Sequence, residues 1–92
     1  MVPVLNEYYH ISAAGTYQVF SGACVLESVV VNTPSAGIIT IIDNTTGVAP
    51  VIAALVASVT SLAYTYNTTM GLGIRIIVAG ANPDITIIYR SN

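Results

Sequence analysis

The chain has 92 residues, one domain's worth, of which 54% are hydrophobic and 7% charged, against about 25% charged residues in an ordinary soluble domain. Lysine is absent, Arg75 and Arg90 are the full positive charges, Glu7, Glu27, Asp43 and Asp84 are the acids, and the net charge is -2. Two arginines cannot neutralise a run of phosphates, which excludes nucleic acid as a partner, and there is no basic patch for an anionic membrane.

The chain opens on Met1 to Glu7, which has an acid, a proline at position 3 and no positive stretch, unlike a signal peptide. Pro3 cannot donate a ladder hydrogen bond and fits a sheet edge or a strand start. Strands are predicted at Val2 to Leu5 and Tyr8 to Ile11, and residues 1–14 are read as an N-terminal arm or edge strand ahead of a core at 15–92. Tyr8, Tyr9 and His10 bury a large area while keeping a polar tip, as interface anchors do, and the arm is expected to add as a strand to a neighbour.

Valine, isoleucine, threonine and tyrosine dominate the rest of the chain, and β-branched and aromatic residues suit a pleated surface better than a helix. Strands are predicted at Thr16 to Phe20, Ala23 to Asn32, Ile38 to Asp43, Val51 to Ala57, Ser61 to Tyr66, Leu72 to Val78 and Ile85 to Arg90; Val51 to Val59 could instead be a short helix. The breaks carry turn chemistry: Gly15, Ser21-Gly22, residues 33–37, Asn44-Thr45-Thr46-Gly47 and residues 79–84. Asn44-Thr45-Thr46 and Asn67-Thr68-Thr69 satisfy the N-glycosylation pattern, and both are read as turn clusters. So many short strands predict an all-β fold, an antiparallel, jelly-roll-like β-sandwich of about eight strands.

Alternation is incomplete, because Ile42, Ile77 and Ile88 fall on the faces that should meet water. A sheet apolar on both faces is covered by a partner, and a homo-oligomer, trimer preferred, is expected with these three isoleucines in its interface. The rival is a bilayer: Val48 to Tyr66 is long enough to span one as a helix, but Pro50, the polar Ser58, Thr60 and Ser61, and the lack of flanking Lys or Arg argue against it. Ile-Thr-Ile-Ile occurs at Ile39 to Ile42 and again at Ile85 to Ile88, an offset of 85 − 39 = 46, half the chain. Duplication of a four-strand half would suit a jelly roll, yet few other matches accompany the offset and an isoleucine-rich chain produces such matches by chance.

No catalytic constellation is expected. His10 is the sole histidine and Cys24 the sole cysteine, so neither a nucleophile with its base nor a zinc ligand set can be assembled, and no metal or cofactor is expected. Cys24 is read as a small buried hydrophobe. Asp43 and Asp84 flank turns and are expected to cap loop N–H groups. Glu27, a lone acid in an apolar strand, needs a basic partner, and Arg75 and Arg90 are the choices. Tyr64 and Tyr66 share a strand face and could stack against sugars; their ordinary role is to edge a small core.

The runs Gly15-Thr16-Tyr17-Gln18-Val19, Val29-Val30-Val31-Asn32-Thr33, Thr40-Ile41-Ile42-Asp43-Asn44-Thr45 and Asp84-Ile85-Thr86-Ile87-Ile88-Tyr89-Arg90 together resemble small tailed-bacteriophage virion proteins. These are similar in kind to capsid decoration (cement) proteins and head-fibre or tail modules. The resemblance implies a structural protein on the outer surface of the capsid, with itself and the phage major capsid protein as partners. A surface or tail module binding host glycans through Tyr64 and Tyr66 is the alternative, and a small membrane protein a weaker one.

Overall fold

The computed structural model describes residues 6–33, 37–56, 63–80 and 83–91, with Val56 by its backbone alone. The regular elements among these residues are all strands: β1 (Glu7–Ile11), β2 (Gly15–Ser21), β3 (Cys24–Thr33), β4 (Ile38–Ile42), β5 (Val51–Val56), β6 (Ala63–Met70), β7 (Gly73–Val78) and β8 (Asp84–Ser91). The helix considered from Val51 does not form, since Val51–Val56 pairs with β4. Valine and isoleucine there gain more on a pleated surface than in a helix. The strand expected at Val2 to Leu5 lies outside the described residues.

The strands make two antiparallel four-stranded sheets, in the orders β1-β8-β3-β6 and β2-β7-β4-β5. This is the order of a jelly roll, two Greek keys wrapped into a sandwich. Each of the six hydrogen-bonded strand pairs joins a strand from the first four to one from the last four. The inward faces follow the period of two: Ile74, Ile76 and Val78 on β7, Ile85, Ile87 and Tyr89 on β8, and Ile39 and Ile41 on β4 are buried in one core. Cys24 and Ile11 lie in the same core. Residues 7–11 are therefore an edge strand of the sandwich, with Ile11 sealing one end of the core.

The 46-residue offset reappears in the pairing. Tyr17 pairs with Ile76 and Gln18 with Arg75 between β2 and β7. Shifting each residue by 46 gives Ala63 with Val30 and Tyr64 with Val29, which are pairs between β6 and β3. Both ladders also contain one irregularity, between Gln18 and Phe20 in the first and between Leu26 and Ser28 in the second. The β4–β7 register departs by one residue from its β8–β3 counterpart, since Ile41 meets Ile76 where the offset requires Arg75.

One local departure from the expected elements has a physical cause. The Asn67-Thr68-Thr69 cluster is not a turn but part of β6, and Asn67 has φ 49° where the ladder with β3 slips. Asparagine tolerates that left-handed conformation better than other non-glycine residues. Asn44-Thr45-Thr46 does form a turn, in which Asn44 Oδ1 accepts the Thr45 N–H at 2.7 Å.

Candidate functional site

The chemistry-bearing side chains turn inward on their own chain. On the outer face of the β1-β8-β3-β6 sheet, Glu27 pairs with Arg90, not with Arg75. Glu27 is the extra residue of β3 opposite β8, between Leu26, which pairs with Tyr89, and Ser28, which pairs with Ile88. The bulge turns Glu27 and Ser28 outward together while Leu26 and Val29 stay in the core. The Glu27 side chain is only 15% exposed, and the Arg90 guanidinium is its counter-charge.

Arg75 is held elsewhere. Its Nε donates to the Gly47 carbonyl at 3.0 Å and its Nη1 to Gln18 Oε1 at 3.3 Å. The Gln18 amide in turn donates to the carbonyls of Phe20 at 2.9 Å and Asn44 at 3.0 Å. These bonds hold the β4–β5 loop against Gln18 and Arg75, which stand in one outward row with Ile42. Ile42 is consequently 0% exposed, and the expectation that it faces a partner is corrected. The loop that its own Asp43 begins supplies the cover that the strand pattern assigned to another subunit. Nothing in the sequence marks Gln18 for this role.

At the other end of the sandwich, His10 Nε2 bonds Asp84 Oδ1, and Asn32 Nδ2 donates to the same oxygen at 3.2 Å and to Thr86 Oγ1 at 2.9 Å. Three strands, β1, β8 and β3, are thereby tied through side chains. Asp84 thus binds side chains here where a cap on loop N–H groups was expected, and the His10 and Asn32 hydrogen bonds hold its carboxyl below the usual carboxylate range. Asp43 does cap a loop: it accepts the N–H groups of Gly71, Leu72 and Gly73 at 3.0, 2.8 and 3.2 Å. Burial pushes the Asp43 carboxyl up, but the three N–H donors outweigh it and the net shift is downward. A side chain at Gly73 would run into the Phe20 carbonyl, which accounts for glycine at that close approach.

Of the charged residues, the exposed Glu7 alone has no such engagement among the described residues. Tyr8, 74% exposed, and half-buried Ile88 stand in one outward row with Ser28 and Thr65. Half-buried Ile77 stands in a row with Thr16, Thr40 and Ala54 on the opposite sheet. Tyr9 packs against the core edge and meets Tyr17 edge to face, with ring centroids 6.2 Å apart. Tyr64 and Tyr66 also pack against the core, which gives their rings the ordinary role of edging it. The structure therefore brings Glu27 and Arg90 together, and His10 to Asp84, but does not gather Tyr8, Ile77 and Ile88 on one face.

Among the described residues no group of three or more His, Cys, Asp or Glu is placed to hold a metal ion. No helix among them is long and apolar enough to cross a membrane. The candidate site is accordingly a surface: two sheet faces of threonine, alanine, valine and isoleucine whose ionic groups are already spent on intrachain partners. No protein-family model, curated protein or solved structure matches this chain.

Proposed function

We propose that this chain is a phage virion structural protein of the capsid-decoration type, which self-associates and stabilises the head through apolar and backbone β contacts with the major capsid protein. The observation that carries the reading is the internal engagement of His10 and of every charged side chain but Glu7. It leaves outer faces with little to offer except area and strand edges, and contacts of that kind suit permanent interfaces. The jelly-roll order is compatible with it, since that architecture recurs in viral capsid domains, though also in lectins. The resemblance in the sequence supplies the capsid as partner.

The test is to add the purified protein to phage heads that lack it. Saturable binding, insensitive to moderate salt and accompanied by a higher disruption temperature of the heads, is the expected result. Heads that neither bind nor gain stability would overturn the proposal, and binding to a glycan array in their place would favour the host-recognition alternative.

A further inference from the structure

Among the described residues the two sheets have four outer edges, and three carry charges or a break in mid-strand. The β1 edge carries Glu7 and His10. The β2 edge is broken in its middle by the irregularity at Val19, and the β6 edge by the slip at Asn67. Charges and bulges are the devices that keep edges from pairing with other chains. The β5 edge carries no charge, and its one break lies near its start. Val51-Ile52-Ala53-Ala54-Leu55-Val56 contains no ionisable residue, proline or glycine, and its one irregularity is confined to Ile52, leaving Ala53 to Val56 regular against β4.

We infer that β5 is a self-pairing edge: it joins β5 of a second copy of this chain antiparallel across a two-fold axis, making one continuous eight-stranded sheet from two four-stranded ones. The second copy is the occupant because the strand complements itself. Leu55 is buried and Ala53 packs against the core, while Ala54 faces out. With Ala54 opposite Ala54, each Ala53 meets a Leu55, so the large inward side chain of one copy faces the small one of the other and the two cores become continuous. An uncharged strand brings no like-charge repulsion to this contact, and it offers nothing to a charged peptide. A two-fold pairing also closes on itself and leaves no further β5 edge.

The contact does not depend on the virion role, and it makes the assembly even-numbered in place of the trimer. Light scattering of the full chain should give 2 × 9.6 = 19.2 kDa, or an even multiple of the subunit. Ala54→Lys should halve that mass while the far-ultraviolet strand signal persists. Thr65→Lys, on the β6 edge, should leave it unchanged. Ala54→Cys, a small change in size, should give a covalent dimer on oxidation, and Thr65→Cys should not. A monomer or trimer for the unaltered chain, or failure of Ala54→Cys to cross-link, would overturn the inference. Capture of a different protein by β5 with no self-association would do the same. A dimer that fails to bind heads would sink the virion role alone; a monomeric Ala54→Lys that still binds them would separate the two in the other direction.

Discussion

Asp43 and Leu72 are 29 positions apart, yet Asp43 Oδ1 accepts the Leu72 N–H at 2.8 Å. The bond fixes the β6–β7 turn to the end of β4, and Gly71 and Gly73 donate to the same carboxylate. One side chain thus sets the spacing of two connections at one end of the sandwich.

Asp43→Ala removes an acceptor from three backbone donors. Because the turn is largely exposed and water can replace part of the loss, the expected cost is about 1 to 2 kcal/mol, read as a lower urea midpoint with an unchanged slope. Both Asp43 and Asp84 have carboxyl pKa values lowered in the folded state. Their contribution is therefore complete above the unfolded value of about 4 and is lost as the pH falls through the lower folded values. The stability these two carboxylates contribute should decline below about pH 4. Asp84→Asn should flatten that acid limb, and an unchanged limb would remove Asp84 from the account.

The Glu27–Arg90 pair should respond unequally to its two halves. Arg90→Ala leaves an acid that is 15% exposed without its counter-charge, whereas Glu27→Gln frees a guanidinium that is 39% exposed and can turn to water. The first should cost about 2 to 4 kcal/mol and the second about 1. Equal losses in chemical denaturation would mean that Glu27 is solvated without Arg90.

Cys24 is wholly buried, and burial, followed by the nearby Asp43 charge, pushes its thiol pKa up. Thiolate is the reactive form. Ellman's reagent should accordingly react with the folded protein no faster than it unfolds, and immediately in denaturant. Rapid reaction of the native protein would show that the β2–β3 end of the core opens.

The N-terminal segment divides at Glu7. Ile11 is 1% exposed within the core, and Ile11→Ala should cost about 2 to 5 kcal/mol. Removing residues 1–6 should leave the fold intact while weakening head binding if the arm reaches a neighbour; unchanged binding by the truncated chain would end that proposal. Removing residues 1–11 takes away β1 itself, so its midpoint of unfolding should fall sharply.

Strand identity was legible because valine, isoleucine and threonine alternate between turn residues, as in Gly73-Ile74-Arg75-Ile76-Ile77-Val78, where the inward set is the one the period of two selects. What escaped the pattern lies where the ladder slips or a loop folds back. Ile42 obeys the alternation of β4, and its burial comes from Gln18 and Arg75 holding the loop above it, a relation between residues up to 57 positions apart. The period also misplaces side chains beyond a bulge, which is why Glu27 and Ser28 share a face. That Glu27 would find a cation could be read from its isolation; that the cation is Arg90 depends on the β3–β8 pairing, where Arg90 and Val25 are partners. The self-pairing capacity of β5 is visible only by comparison with the other three edges, and a sequence does not say which strands are edges.

Because β8 lies between β1 and β3, the sheet containing the chain's first described strand has a gap until its last has arrived. During synthesis β1 and β3 leave the ribosome with no mutual hydrogen bonds to make, and they must wait for residues 84–91 to emerge. The β2-β7-β4-β5 sheet, by contrast, has all its strands once Val78 has emerged. The core between the two sheets therefore closes only when β8 is added, and until then a sparsely charged, isoleucine-rich polypeptide keeps apolar surface uncovered.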